Sequence, residues 1–252
     1  MLGCAGSFPS PQSAASGYLV TADDTQGRTW RVVLDLGSGA LGPLQRWADP
    51  TTLDLVALTH LHADHCADLV VLDVARRHAP GGPCPPLSVW GPDGTADRIA
   101  ALVGRPTPAF DVHVWQPAVP VVVGPLLLTP VAVDHTVPAF GVRVVGPSED
   151  DPARQVTLSY TGDTDAGPGL DTLAAGADVL LAEAGFADDA DAPRGIHLTG
   201  ARAGAAAHRG GARRLVLTHL LAWDDPQPAL ARARAAYDGP VALAAPDLLV
   251  IV

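Results

Sequence analysis

The stretch Thr59-His60-Leu61-His62-Ala63-Asp64-His65 sets three imidazoles and a carboxylate within six positions, directly after the largely apolar run Leu53 to Leu58. A buried strand that ends in such a cluster aims His60 and His62, two residues apart and on one face, at a single cation. Asp64 and His65, one step further round the turn, then face a second. Neutral imidazole and carboxylate suit zinc, or iron and manganese as the carboxylate share rises. Surface histidines clustered by chance are the bland alternative, and the density of ligand-type side chains argues strongly against it.

The cluster needs a scaffold that delivers strand ends to one place, and the rest of the chain supplies the pattern. Short β-rich runs alternate with Ala/Leu-rich helical stretches, as in sheets covered by helices. Strands are expected at Arg31 to Leu36, Leu53 to Leu58 and Leu87 to Trp90, with helices at Leu41 to Trp47, at Asp68 to Arg77 and from the Gly91-Pro92-Asp93-Gly94 turn through Val103. Val112 to Trp115, Val121 to Val123 and Leu126 to Val133 read as successive strands of a meander. Val142 to Val145 and Gln155 to Tyr160 read as a hairpin with its loop at Gly146 to Arg154. The helix–strand rhythm then returns: Leu170 to Ala175, Val179 to Ala182, Thr199 to His208, Leu215 to Thr218, Pro228 to Tyr237, Val241 to Leu243 and Leu248 to Val252. No repeat or long linker divides the 252 residues, so one domain is expected over 1–252. Two βα-rich halves around a central sandwich would bring their loops together along one edge.

Three more ligand-type residues stand where a predicted strand gives way to a loop: His135 after Leu126 to Val133, Asp163 after Leu158-Ser159-Tyr160, and His219 after Leu215 to Thr218. Singly, such a histidine is more often structural. Together with the cluster they complete a set of seven. His60, His62 and His135 are assigned to one metal, Asp64, His65 and His219 to the other, and Asp163 to both. Two divalent ions about 3.5–4 Å apart would share a hydroxide and lower the pKa of bound water from about 15.7 toward ~7. Of the other histidines, His78, His113 and His208 take a structural reading. His197 lies in a loop before a helix that Thr199 would cap; spacing alone leaves it open between a structural role and assistance to a leaving group. Cys66 is expected to point into the core. Asp35 and Glu183 are expected to orient ligands rather than bind metal.

Charge and cysteine usage bound the partners. All sixteen basic residues are arginine, and the net charge of −11 argues against a broad phosphate-tracking surface. Cys4, Cys66 and Cys84 form no disulfide or thiolate-zinc pattern, which fits a reducing, cytoplasmic setting. Leu2-Gly3-Cys4 lacks the leader of a lipoprotein signal, and no apolar run reaches the ~20 residues that span a bilayer. Met1 leaves the first strand short, so a start further upstream stays open.

These residues resemble the metallo-β-lactamase superfamily, which implies an α/β, four-layer αββα sandwich with a two-metal edge site. Within it the chain is similar to the ribonuclease Z branch, nearly end to end. The resemblance rests on Leu2-Gly3-Cys4-Ala5-Gly6-Ser7 through Ser16-Gly17-Tyr18-Leu19-Val20, Val33-Leu34-Asp35-Leu36-Gly37 and Trp90-Gly91-Pro92-Asp93-Gly94-Thr95. It continues in His135-Thr136-Val137-Pro138-Ala139-Phe140-Gly141, Tyr160-Thr161-Gly162-Asp163-Thr164 and Leu217-Thr218-His219. It implies His60, His62, Asp64, His65, His135, Asp163 and His219 as ligands of two divalent ions, zinc first with manganese or iron open. Asp64 and, through His197-Leu198-Thr199, His197 are the implied catalytic residues.

Two departures count against transfer-RNA processing: the interval from Gly141 to Ser159 is too short for that branch's RNA-gripping arm, and Leu220-Leu221-Ala222-Trp223-Asp224-Asp225 replaces its phosphate-positioning stretch. Ala15-Ser16-Gly17-Tyr18, Leu44-Gln45-Arg46-Trp47-Ala48-Asp49-Pro50 and His60 to Leu69 resemble an actinobacterial group of atypical cyclic-AMP phosphodiesterases. That resemblance implies a small cyclic nucleotide substrate, with Trp223 either stacking its base or covering apolar surface at the rim. It implies no extended nucleic-acid surface and no membrane partner, and leaves a homodimer open. The competing readings are a ribonuclease Z-type endonuclease, a thioester, lactone or β-lactam hydrolase, and a non-catalytic nucleotide-binding protein.

Overall fold

A computed structural model describes residues 1–187 and 192–252. Two sheets face each other. The first runs, edge to edge, β14 (Leu220–Leu221), β1 (Gly3–Gly6), β3 (Gly17–Asp23), β4 (Thr29–Leu36), β5 (Leu55–Ala57), β6 (Leu87–Gly91) and β7 (Phe110–Val114), with β2 (Ala14–Ala15) beside β1. The second runs β15 (Val241–Leu243), β13 (Leu215–Thr218), β12 (Val179–Glu183), β11 (Gln155–Tyr160), β10 (Ala139–Pro147), β9 (Leu126–Val133) and β8 (Val121–Val123). The helices are α1 (Leu41–Leu44), α2 (Ala63–Cys66), α3 (Leu69–Arg77), α4 (Thr95–Val103), α5 (Pro168–Ala174), α6 (Gly200–Gly210) and α7 (Gln227–Ala236).

The period of two along each strand sorts side chains into three cores. On β5, Val56 joins Leu44, Leu69, Leu72 and Ile99 beneath the first set of helices, while Leu55 and Ala57 turn inward between the sheets. On β13, Leu215 and Leu217 meet Ala203, Ala206, Ala207 and Ala233 of the second set, and Val216 faces inward. Helices, sheet, sheet and helices are therefore stacked in four layers, the expected αββα sandwich. Small side chains dominate the α6 face, which allows α6 and α7 to pack closely over the second sheet.

Two strand expectations need correction. The segment expected at Val112 to Trp115 does not open a meander: β7 pairs in parallel with β6, Leu87 opposite Phe110 and Gly91 opposite Val114. After α4 the chain returns beside the strand it left, as a βαβ crossover does. It crosses to the second sheet only after Trp115, whose buried indole donates to the Leu58 carbonyl at 2.9 Å. The antiparallel run is β8 to β11. Leu248 to Val252 is not a strand. Its alternation is strand-like, with Leu249 and Ile251 exposed while Val250 and Val252 pack on the inter-sheet core, but it makes isolated hydrogen bonds instead of a ladder. The helix expected to reach Trp47 ends at Leu44 and continues as turns.

Strands β4, β5, β11 and β13 all end, and β10 begins, at the same edge of the sandwich. A cavity of about 440 Å³ opens away from that edge, lined by Leu19 to Asp23 of β3, Pro147 to Glu149 and the C-terminal residues; it holds none of the predicted ligands. No helix among the described residues is long and apolar enough to cross a membrane.

Candidate metal centre

β5 is a buried three-residue strand, and the chain leaves it through Leu58, whose amide bonds the Trp90 carbonyl. Thr59 and His60 lie in the turn, and α2 starts at Ala63 with His62 as its N-cap residue. One helical turn then carries Asp64 and His65 back over the sheet edge. The turn fits because Gly37 lies against the Asp64 carbonyl, where any Cβ would collide with backbone. Asp163 arrives from β11 through Gly162, at φ +57° with the Thr59 side chain 2.8 Å from where a Cβ would stand. His219 bridges β13 and β14 in the left-handed region, at φ 55°. For a non-glycine residue that conformation costs about 1–3 kcal/mol and clusters at functional sites.

The seven predicted ligands come together in two groups, His60 with His62, His135 and Asp163, and Asp64 with His65, Asp163 and His219. Within each group the donor atoms all lie within 4.8 Å of one another, and Asp163 belongs to both. This is the partition expected from the sequence. In the first group His62 Nδ1 stands 2.9 Å from His60 Nε2 and 3.3 Å from His135 Nε2. In the second, His219 Nε2 stands 3.1 Å from Asp64 Oδ2 and 3.3 Å from Asp163 Oδ2. His60, His65, Asp163 and His219 are buried, whereas His62 and His135 are partly open, so the first group faces the entrance.

The outer nitrogens decide what the inner ones can do. Thr59 Oγ donates to Asp35 Oδ2 at 2.8 Å and can therefore accept from His60 Nδ1 at 3.1 Å. His65 Nδ1 donates to Asp35 Oδ2 at 2.7 Å, and His135 Nδ1 donates to the Ile196 carbonyl at 2.8 Å. With the proton held on Nδ1, each Nε2 turns a lone pair toward the centre, the usual device for preparing a metal-binding histidine. His65 Nε2 and Asp163 Oδ1 lie 3.2 Å apart yet are misaligned for a hydrogen bond, and both are buried without a partner. Lone pairs converging in this way, beside carboxylates shut away from water, fit divalent cations.

The electrostatics agree. Burial, reinforced by His65, pushes His60 well below the ordinary imidazole value. Burial also opposes the charge on Asp64, but the His219 and His65 imidazoles beside it outweigh that and hold the carboxyl below its usual range. Asp163 is likewise held well below its usual range, by the His219 and His65 charges against the same burial. Burial opposes charge on His65 as well, yet Asp163 and Asp35 raise it well above the ordinary value. The surrounding carboxylates demand a proton or a cation at that Nε2.

His197 flanks both groups, its ring centroid 5.4 Å from that of His135 and 5.3 Å from that of His219. Its Nδ1 lies 2.8 Å from Glu183 Oε1. Glu183 is itself fixed at the end of β12, its two oxygens accepting from the Thr164 and Gly185 amides, each at 2.8 Å. Burial pulls His197 down, but the Glu183 hydrogen bond and charge outweigh it and push the imidazole up to about 9. Glu183 thus orients His197 and not the histidine turn. Asp35 does orient that turn: it accepts from Thr59 N, Thr59 Oγ, His65 Nδ1 and Tyr160 Oη. Thr199 caps α6 and Cys66 is in the core, both as expected.

Sequence reasoning missed several supports. In the sequence Tyr160 is one more strand residue and Thr59 a neighbour of the cluster, and nothing local marks either as a support. Asp165, two residues past a ligand, accepts from the Gly195 amide at 2.7 Å and pairs with Arg194 at 2.8 Å, tying down the loop that carries His197. Its position two residues after Asp163 was the only local signal. His113 stacks on Trp90, His78 ends α3 and His208 lies exposed on α6, so none of the three joins the centre.

Residues 30–220 match the model of the beta-lactamase superfamily domain. An uncharacterised protein of Mycobacterium leprae is 41% identical over 248 residues, covering 96% of this chain and 84% of its own. A ribonuclease Z of Myxococcus xanthus is 29% identical, covering 96% of this chain and 94% of its own. The crystal structure of the metallo-beta-lactamase fold protein YhfI from Bacillus subtilis superposes with a TM-score of 0.84 at 27% identity, covering 98% of this chain and 95% of that one. Layered fold, paired histidine–aspartate groups and relatives agree: this chain belongs to the beta-lactamase superfamily and is a metal-dependent hydrolase.

Proposed function

We propose that the chain, with residues 1–252 acting as one domain in the cytoplasm, is a two-metal phosphodiesterase that opens a small cyclic nucleotide, 3′,5′-cyclic AMP foremost. The observation that carries this reading is the His197–Glu183 pair beside the two ligand groups. A phosphodiester needs its departing alkoxide protonated, and an imidazole raised to about 9 carries the proton at neutral pH. Glu183 takes the Nδ1 hydrogen, which leaves the Nε2 proton of His197 to face the leaving oxygen. His60, His62 and His135 would hold one ion, Asp64, His65 and His219 the other, with Asp163 between them. Nitrogen and carboxylate donors in these proportions suit zinc, with manganese or iron as alternatives. Such ions, when bound, neutralise phosphoryl oxygens and supply a nucleophilic water at neutral pH.

A small substrate is supported by two further features. β10 and β11 form a plain hairpin joined by Ser148 to Arg154, with no arm to grip a polynucleotide. The net charge of −11 repels a polyanion, whereas bound metal ions would attract a single phosphate. The Myxococcus relative's name keeps RNA cleavage as the second reading.

The test sets cyclic AMP and a precursor transfer RNA side by side, with zinc- or manganese-loaded protein and an Asp64→Ala control. Loss of cyclic AMP confined to the unmutated protein is expected. RNA cleavage without cyclic AMP turnover would overturn the proposal.

A further inference from the structure

The strand register beside His219 also brings two aromatic side chains together. β1 and β14 run parallel, Ala5 opposite Leu220 and Gly6 opposite Leu221. Two residues beyond Gly6 is Phe8 and two beyond Leu221 is Trp223, and their rings meet with centroids 4.6 Å apart. Both segments hold the same ligand. The Ser7 amide points at His219 Nε2 from 3.4 Å, and Gly6 packs against the His219 carbonyl. Phe8 therefore directly follows a residue that touches the metal centre, and Trp223 follows His219 by four. Trp223 still leaves 71% of its surface open. A tryptophan serving only to cover the rim would bury more of its ring.

We propose that Trp223, braced by Phe8, is the platform on which the base of the nucleotide stacks. The inference rests on reading the substrate as a nucleoside phosphodiester, and it gives that substrate an orientation. Phosphate goes to the ligand groups and the base to the indole, because the exposed Asp224 and Asp225 carboxylates next to Trp223 repel phosphate. Those carboxylates can also accept a hydrogen bond from an exocyclic amino group, which favours a base that carries one. The flanking arrangement needs no RNA path, since one base occupies it.

The test measures binding rather than turnover. Adenosine 5′-monophosphate and ribose 5-phosphate, the same phosphate with and without a base, are titrated calorimetrically into zinc-loaded wild-type, Trp223→Phe and Trp223→Ala proteins. Wild type and Trp223→Phe should prefer the adenosine nucleotide by roughly tenfold, the scale of one base stacked on one aromatic ring, and Trp223→Ala should bind both alike. A preference kept by Trp223→Ala, or absent from wild type, would overturn the platform. Base-dependent binding without cyclic AMP turnover would sink the reaction proposed above and leave the platform standing. Turnover of cyclic AMP and of its base-free analogue with equal KM would uphold the reaction and sink the platform.

Discussion

Asp35→Asn is the sharpest probe of how the protein prepares its ligands. Asp35 is fully buried, sits at φ 54°, and of the seven candidate ligands hydrogen-bonds His65 alone. Asparagine keeps its size and tolerates the left-handed conformation, so the backbone gains no strain. One carboxylate oxygen accepts from Thr59 N at 2.7 Å, and the other from Thr59 Oγ at 2.8 Å, His65 Nδ1 at 2.7 Å and Tyr160 Oη at 2.9 Å. An amide NH2 on the second side faces three donors. His65 relieves the conflict by moving its proton from Nδ1 to Nε2, where it blocks the lone pair meant for the cation. Turning the amide round sets NH2 against the Thr59 amide and is no better. Loss of such an outer support typically costs 10–100-fold in metal affinity, about 1.4–2.8 kcal/mol. Chelator competition on the purified protein reads it directly, and Tyr160→Phe is the control. That variant removes one donor to Asp35 without freeing the His65 proton, so its metal affinity should fall less than tenfold, while stability drops by about 1 kcal/mol. Equal zinc affinity in Asp35→Asn and wild type would refute the tautomer argument.

Other perturbations separate chemistry from scaffold. Glu183→Gln and His197→Ala should each lower kcat on cyclic AMP by about 100-fold with KM little changed, and the double variant should be no worse than either single one; additive losses would mean that the two act independently. Gly37→Ala drives a Cβ into the Asp64 carbonyl and should cost about 3 kcal/mol, with metal content falling alongside the melting temperature. Asp73 is buried beneath Arg77, Arg105 and Thr107, with Arg77 at 2.7 Å. Burial opposes its charge, but hydrogen bonds from Arg77 and Thr107 lower its pKa. A depressed carboxyl stabilises above its ordinary pKa and loses that contribution as pH falls through the folded value. Asp73→Asn should therefore unfold about 2 kcal/mol more easily at neutral pH, and the gap, followed by denaturant titration, should close below about pH 4; a constant gap would count against the ion pair.

How much was legible from the residues follows from where each signal lives. The candidate ligands that converge could be picked out because strand ends announce themselves locally: an apolar run stops, and His60, His135, Asp163 or His219 stands at or just past its end. The split into two groups also matches the order along the chain, because the turn delivers His60 and His62 first and the helical turn of α2 then carries Asp64 and His65 round to the other side. Period-two strands alternating with helices pointed to sheets covered by helices, and the four-layer order came with the family resemblance. Partners distant in sequence were not readable. Nothing local says that Glu183 meets His197, that Tyr160 meets Asp35, or that Phe8 meets Trp223, because register between strands and the depth of each turn set those pairs. β7 could be assigned to the wrong sheet for the same reason: its alternation suits either sheet, and only the crossover after α4 decides. Leu248 to Val252 carries a strand's pattern without a neighbour to bond.

The sequence by itself thus pointed to which side chains are candidate metal ligands and roughly where the chain turns, because both depend on residue type and short-range geometry. The tertiary structure alone decided which proton sits on which imidazole nitrogen, which carboxylate orients which histidine, and that the exposed indole of Trp223 rests against Phe8. Those outcomes depend on distances across the sandwich, to within a few tenths of an ångström, and only the packed sheets set them.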